Sequence, residues 1–273
     1  MAINLGINDL KELSEVLSEK LGLDFTQYGY SFFKRRLSYI FDLFNIKKKS
    51  QFQELLKVKE FHQQFFYNFA VNNTEMFRDP GFWRFLKTLT PAFQTKNEIN
   101  IWFPEASSGE EVFSFLIYAK EQNILEKVKV FCNHTSHEKL NEIEKGILKN
   151  KNLELNKSNY KRFEGKSQLE NYFSIDNTGV YLKPELTAPV ETITHSFLQG
   201  DTPKNITLVI YRNAMLNYNK KYCTKCMDVI YDSLVPGGMV AIGIKESMPF
   251  PYNTKMTCMN QKEMVFKKDG FLN

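Results

Sequence analysis

The sequence predicts an α/β protein, with a small all-α N-terminal domain over residues 1–75 and a doubly wound α/β domain over residues 76–273. Three observations point there. Apolar residues recur at helical spacing through the first seventy positions. Strand-like apolar runs alternate with helical segments beyond residue 98. A loop of small residues, Ala106-Ser107-Ser108-Gly109, follows the first such run and leads into a helix.

The first helix is expected to be capped by Asn8, to carry Leu10, Leu13, Val16, Leu17 and Leu21 on one face, and to stop at Gly22. A second helix runs from about Gln27 to Phe44, with Phe33, Leu37, Ile40, Phe41 and Phe44 on its apolar side. It also carries Lys34, Arg35 and Arg36, read either as a solvated basic face or as a docking surface for an acidic partner. Further helices are expected over Gln51–Leu56 and Lys59–Phe69. Then comes a loop over Val71–Asp79, and Pro80 is suited to the first turn of the next helix.

Beyond it, Ile99–Phe103, Val128–Cys132, Ile206–Tyr211 and Met239–Ile244 read as strands. Glu110–Phe115, His137–Leu148 and Lys220–Leu234 read as helices, and the alternation predicts a parallel sheet covered on both faces. Residues 169–194 are irregular with short strands and suggest a small inserted β subdomain.

Composition narrows the function classes. Hydrophobic residues at 42% and charged residues at 25% are ordinary for a globular chain, while 14% aromatics predict a well-filled core. A net charge of +5 suits acidic partners but lacks the concentrated basic face of a nucleic-acid binder. No apolar run approaches a membrane span, and the N-terminus lacks the pattern of a signal peptide, so a cytoplasmic protein is expected. Cys223 and Cys226 form a CxxC inside a predicted amphipathic helix. With no second pair and no spaced histidines they read as packed thiols, and no metal site is expected.

Four motifs occur in order: VNNTEMFRDPGFW, WFPEASSGEEVFS, IYRNAMLNYNKK and SLVPGGMVAIGIKES. Together they resemble the CheR family of chemotaxis-receptor methyltransferases, over nearly the whole chain. The resemblance implies a Rossmann-like S-adenosylmethionine methyltransferase domain behind the helical leader. It also implies methyl transfer to glutamate side chains on the cytoplasmic helices of chemoreceptor-like proteins, with docking through Lys34, Arg35 and Arg36. A glutamate is already ionised at neutral pH, so the chemistry calls for orienting groups rather than a general base. Carried over by position, the cofactor-binding residues are Asn72, Thr74, Arg78, Glu111, His134, Ser196, Phe197, Arg212 and Asn213, with Arg78 and Arg212 also in catalytic roles. Arg78 is expected to pair with a carboxylate and Glu111 to accept from the cofactor's ammonium.

The chain departs from the family pattern at four positions. His134 stands where a ribose-clasping aspartate is expected, and is taken to offer one acceptor nitrogen in place of a carboxylate. Glu105 replaces Gly or Ala in the first loop. Ser196-Phe197 replaces Asn-Leu, with Phe197 as an apolar wall for the adenine. Asn217 replaces a tyrosine, and the adjacent Tyr218 is expected to point elsewhere. Two functions follow as alternatives: an active protein-glutamate O-methyltransferase, or a catalytically impaired binding protein that docks on signalling partners.

Overall fold

The computed structural model describes residues 5–71, 74–149 and 152–270. Four helices come first: α1 (Ile7–Leu21), α2 (Tyr30–Leu43), α3 (Lys49–Leu55) and α4 (Lys59–Phe69). Their apolar faces close on one another around Leu13, Phe33, Leu37, Phe52 and Phe65, all essentially inaccessible to solvent. The predicted stop at Gly22 is present, in the left-handed conformation with φ 71°. The start differs. Gly6 precedes the first turn, and its N–H donates to Asp9 Oδ2 at 2.9 Å, so the acid inside the helix replaces the expected Asn8 cap.

Next come α5 (Pro80–Gln94), β1 (Ile99–Phe103), α6 (Glu110–Glu121), β2 (Val128–Asn133), α7 (His137–Glu144) and β3 (Ile147–Leu148). They are followed by α8 (Leu153–Phe163), β4 (Phe173–Asp176), β5 (Gly179–Leu182), α9 (Pro184–Thr187) and β6 (Val190–Ile193). The chain ends through β7 (Ile206–Ile210), α10 (Lys220–Ser233), β8 (Leu234–Ala241), α11 (Tyr252–Lys255), β9 (Met256–Asn260) and β10 (Val265–Lys268).

A seven-stranded sheet runs in the order β6-β2-β1-β7-β8-β10-β9. Its strands alternate between two cores, as a period of two demands. Ile99, Ile101 and Phe103 of β1 face the layer of α5 and α6, whereas Trp102 faces the opposite layer with α10. Every residue of β7 is buried, as expected for a strand covered on both faces.

The sheet is mixed rather than purely parallel, because β10 runs antiparallel to both β8 and β9. The expected helix from His137 to Leu148 ends at Glu144, and Ile147–Leu148 pairs with β5 in a separate three-stranded sheet, β3-β5-β4. That small sheet takes up only part of residues 169–194, since Val190–Ile193 pairs with β2 at the edge of the main sheet. Helix α8 has no counterpart in the sequence reading. Its sparse apolar pattern hid a packing face in which Tyr160 and Phe163 join buried polar Asn156 and Asn159.

The helical leader docks on the sheet at several points. Gly29 N–H donates to the Asn217 carbonyl at 2.8 Å, and Asn219 N–H donates to the Gln27 carbonyl at 2.9 Å. The rings of Tyr28 and Tyr218 lie 4.9 Å apart. On the other flank Tyr67 of α4 donates to Glu142 at 2.7 Å, and Lys149 and buried Lys139 pair with the same carboxylate at 2.8 and 3.1 Å. Burial is the chief cause that lowers Lys139, to about 8.

Candidate active site

A pocket opens where the carboxyl ends of the central strands meet the helical leader. Thr74, Arg78, Glu105, His134, Ser196, Phe197, Arg212 and Asn213 border it from the sheet side, and Phe25, Tyr28, Phe32 and Phe69 from the leader. This is where a doubly wound sheet offers its binding crevice. Three non-glycine backbone positions beside it lie in the sparsely populated left-handed region: Asp79 (φ 51°), Ser107 (φ 48°) and Asn213 (φ 61°). Such strain persists only where surrounding contacts fix it.

The contacts are visible. The loop after β1 closes on Gly109, φ 93°, where a Cβ would stand 2.9 Å from Ile143 Cγ1, so only glycine fits and starts α6. Thr74 Oγ1 and Ser108 Oγ both donate to the buried Glu110 carboxylate, joining the segment before α5 to the first turn of α6. The loop after β7 is clamped by Glu246. Its carboxylate accepts from the N–H groups of Asn213 at 2.9 Å, Leu216 at 3.2 Å and Gly243 at 2.5 Å. Burial raises Glu246, while these donors pull the other way. Gly243 is required because the Asn213 backbone nitrogen lies 2.9 Å from where its Cβ would be. Glu246 was legible only as a letter of the KES motif; its clamping role needed the fold.

The two arginines have separate tasks. Arg212 borders the pocket, but its side chain is fully buried, with Nη2 2.7 Å from Asp79 and Nη1 2.7 Å from Glu111. Its guanidinium lies over the Phe82 ring, 4.4 Å from the centroid. Its charge is therefore committed to the protein, and Arg212 acts as a positioning residue for the Asp79 turn and the start of α6. Glu111, expected to receive an ammonium, accepts from Arg212 through Oε1, and burial raises its pKa more than Arg212 lowers it. Arg78 is different: its side chain is 43% exposed and its nearest acid, Glu75, lies 3.8 Å away. It is held loosely enough to take an anion from the pocket. Asn72 lies outside the described residues.

His134 is buried, and burial is the main cause that lowers it to about 4, with Lys139 adding to the effect. Its Nδ1 accepts from the Ser136 N–H at 2.8 Å. The neutral ring consequently carries its proton on Nε2, so it offers the pocket a donor rather than the expected acceptor. Phe197 borders the pocket, wedged edge-on against Trp102 and Tyr211 with ring centroids 5.7 Å apart in each case. Ser196 has its hydroxyl turned to the Leu198 N–H at 3.4 Å. Tyr218 corrects its expectation: its hydroxyl donates to Glu105 Oε1 at 2.8 Å, joined by Tyr211 at 3.2 Å. Burial drives Glu105 up to about 7 against those two hydrogen bonds.

Elsewhere the structure places two further sequence features. Arg36 donates to the Phe69 carbonyl at 2.8 Å and the Ala70 carbonyl at 2.6 Å, and also to the Asn68 carbonyl, capping the end of α4. Cys223 and Cys226 are free thiols on α10, and burial pushes Cys223 up to about 11. Among the described residues no group of metal-ligating side chains converges, and no helix is long and apolar enough to cross a membrane.

A doubly covered sheet with a mixed polar and aromatic pocket at its carboxyl edge defines a Rossmann-like α/β protein with a ligand-binding crevice. Residues 72–265 match the family described as the CheR methyltransferase, SAM binding domain, and the chain belongs to that family. Over 263 residues it is 24% identical to the Pseudomonas putida protein named Cher3, spanning 95% of this chain and 96% of that one. It is 23% identical over 256 residues to a chemotaxis protein methyltransferase of Listeria innocua, spanning 92% and 95%. The solved N-methyltransferase NodS of Bradyrhizobium japonicum aligns with 70% of this chain and 98% of its own at 11% identity and a TM-score of 0.37, a likeness too loose to build on.

The family's cofactor is S-adenosylmethionine, and the donor set here fits it. Arg78 would hold a carboxylate, the Nε2–H of His134 would donate to a ribose hydroxyl, and Phe197 supplies apolar surface. One donor replaces the two-point clasp of a carboxylate, so the ribose end is held more weakly than the aspartate pattern would hold it. When bound, the cofactor supplies an electrophilic methyl group on a sulfonium.

Proposed function

We propose that this protein is a cytoplasmic protein-glutamate O-methyltransferase acting on the helices of chemoreceptor-like proteins. The observation that carries the reading is Arg78, a loosely paired guanidinium in the pocket wall that suits a carboxylate, either the cofactor's or that of a glutamate acceptor beside it. A glutamate acceptor arrives ionised, so the protein needs to align an oxygen with the methyl carbon and keep competing water out. The aromatic side chains of the leader close one flank of the pocket and serve the second task. Lys34 and Arg35 are exposed on α2 and suit docking on an acidic receptor helix, whereas Arg36 serves α4.

Labelled methyl transfer to receptor helices tests this. Label is expected on glutamates of wild-type substrate, to vanish when those glutamates are glutamines, and to fall at least tenfold with Arg78→Ala, the loss of about one charged hydrogen bond. Undiminished labelling by Arg78→Ala refutes the role of Arg78. A second reading, a partner-binding protein without turnover, is favoured by the bulk of Glu105 in the pocket wall, where the family pattern has Gly or Ala. Cofactor binding with no labelling of any receptor helix would support it.

A further inference from the structure

We propose that Glu105 sets the ligand preference of the pocket: its carboxylate, held in the wall by the hydroxyls of Tyr211 and Tyr218, favours the cationic sulfonium cofactor over the neutral thioether that remains after methyl transfer. The proposal rests on the cofactor occupying this pocket.

The geometry supports it in two ways. Glu105 lies two residues beyond the end of β1, at the sheet's carboxyl edge, where ligands of such folds lie. Both tyrosines donate to the same oxygen, Oε1, which fixes the side chain, while Oε2 accepts no hydrogen bond from the described residues. Other titratable groups share the pocket wall, Asp24 and His195 among them, so the comparison with Glu105→Gln is what isolates the part played by Glu105. Tyr28 packs on Tyr218, and Tyr222 and the Cys223 and Cys226 thiols of α10 lie behind; burial raises all four and keeps them neutral. Glu246 is the neighbouring anion, and its charge adds to the desolvation that raises Glu105. Elsewhere in the lining His134 is neutral, the charge of Arg212 is balanced by Asp79 and Glu111, and Arg78, Asp24 and His195 complete the charged and titratable set.

A group placed at about 7 by burial is half ionised near neutral pH. A bound cation lowers it and draws it into the charged form, whereas a neutral thioether does not. The two ligands differ in that one charge, so their affinity ratio reports the ionisation of Glu105. Stronger binding of the sulfonium form also helps a methyltransferase to exchange product for fresh cofactor.

Calorimetry of the full chain with S-adenosylmethionine and S-adenosylhomocysteine at pH 6 and pH 8 is the test. For the wild type the preference for the sulfonium ligand is expected to rise several-fold from pH 6 to pH 8. Glu105→Gln should flatten the rise and lower the preference at pH 8 by about tenfold, the order expected of one charge acting across a partly hydrated pocket. Titration of the ligands' own amino groups is common to wild type and variant and drops out of that comparison. Tyr218→Phe removes a donor to the carboxylate and should shift the rise to higher pH, an independent check should Glu105→Gln fold poorly. Equal ratios in wild type and Glu105→Gln at both pH values overturn the proposal while leaving the cofactor assignment intact. Absence of binding by either ligand overturns both.

Discussion

Replacing Arg212 with methionine removes the buried cation that joins the Asp79 turn to the start of α6. Two carboxylates, each with about a quarter of its side chain exposed, lose their 2.7 Å partner at once. Breaking a buried pair by deleting one member costs about 3 to 5 kcal/mol, because the partner is left charged and poorly solvated. Two effects bound that cost. Methionine retains packing against Phe82, and Glu111, already raised by burial, can take up a proton when Arg212 is gone. The sign follows: with its folded pKa raised further above the unfolded one, Glu111 favours folding below the unfolded pKa, and that contribution is lost as pH rises through the folded value. The deficit of the variant should therefore be smaller at pH 5 than at pH 8. Urea denaturation at both pH values measures it, and thermal melting should show a drop of roughly 6 to 15 °C at neutral pH. A loss below about 1 kcal/mol, or a deficit that grows on acidification, would refute the assignment of Arg212 as a buried positioning residue. Arg78→Ala is the comparison, and its stability should stay within about 0.5 kcal/mol of wild type, since its side chain is half exposed.

Other substitutions test other parts of the site. His134→Asp restores a two-point acceptor and should tighten cofactor binding roughly tenfold or more by calorimetry, the scale of a charged hydrogen bond. Gly109→Ala forces a Cβ to 2.9 Å from Ile143 at φ 93° and should cost about 1 to 3 kcal/mol by denaturant titration. Arg36→Ala strips the donor from three carbonyls at the end of α4, and denaturation should show a loss of about 1.5 to 3 kcal/mol. An unchanged midpoint would return Arg36 to the surface role its sequence neighbours suggest.

Much of the architecture was legible because periodicity is a local property. Lys59–Phe69 and Ile99–Phe103 form with the bounds the sequence suggests, since each packs one face or both faces of a single element. The edges of the main sheet were not. The antiparallel β10 and the placement of β6 beside β2 depend on pairing with strands distant in sequence, which no local pattern encodes. Helix α8 was invisible for a related reason: half of its buried face is asparagine, made burialable by partners such as the Met76 N–H and carbonyl.

For the site, the ordered motifs by themselves determined the family and the loops from which its residues come. Residue type also marked the four departures. Only the tertiary structure decided what each side chain does there, because charge and hydrogen-bonding capacity are shared among neighbours. Arg212 is spent on Asp79 and Glu111, and the acceptor of His134 is spent on Ser136. Tyr218, next to a substituted position, reaches Glu105 across the pocket. A sequence names the groups available, and the folded chain fixes which remain free for a ligand.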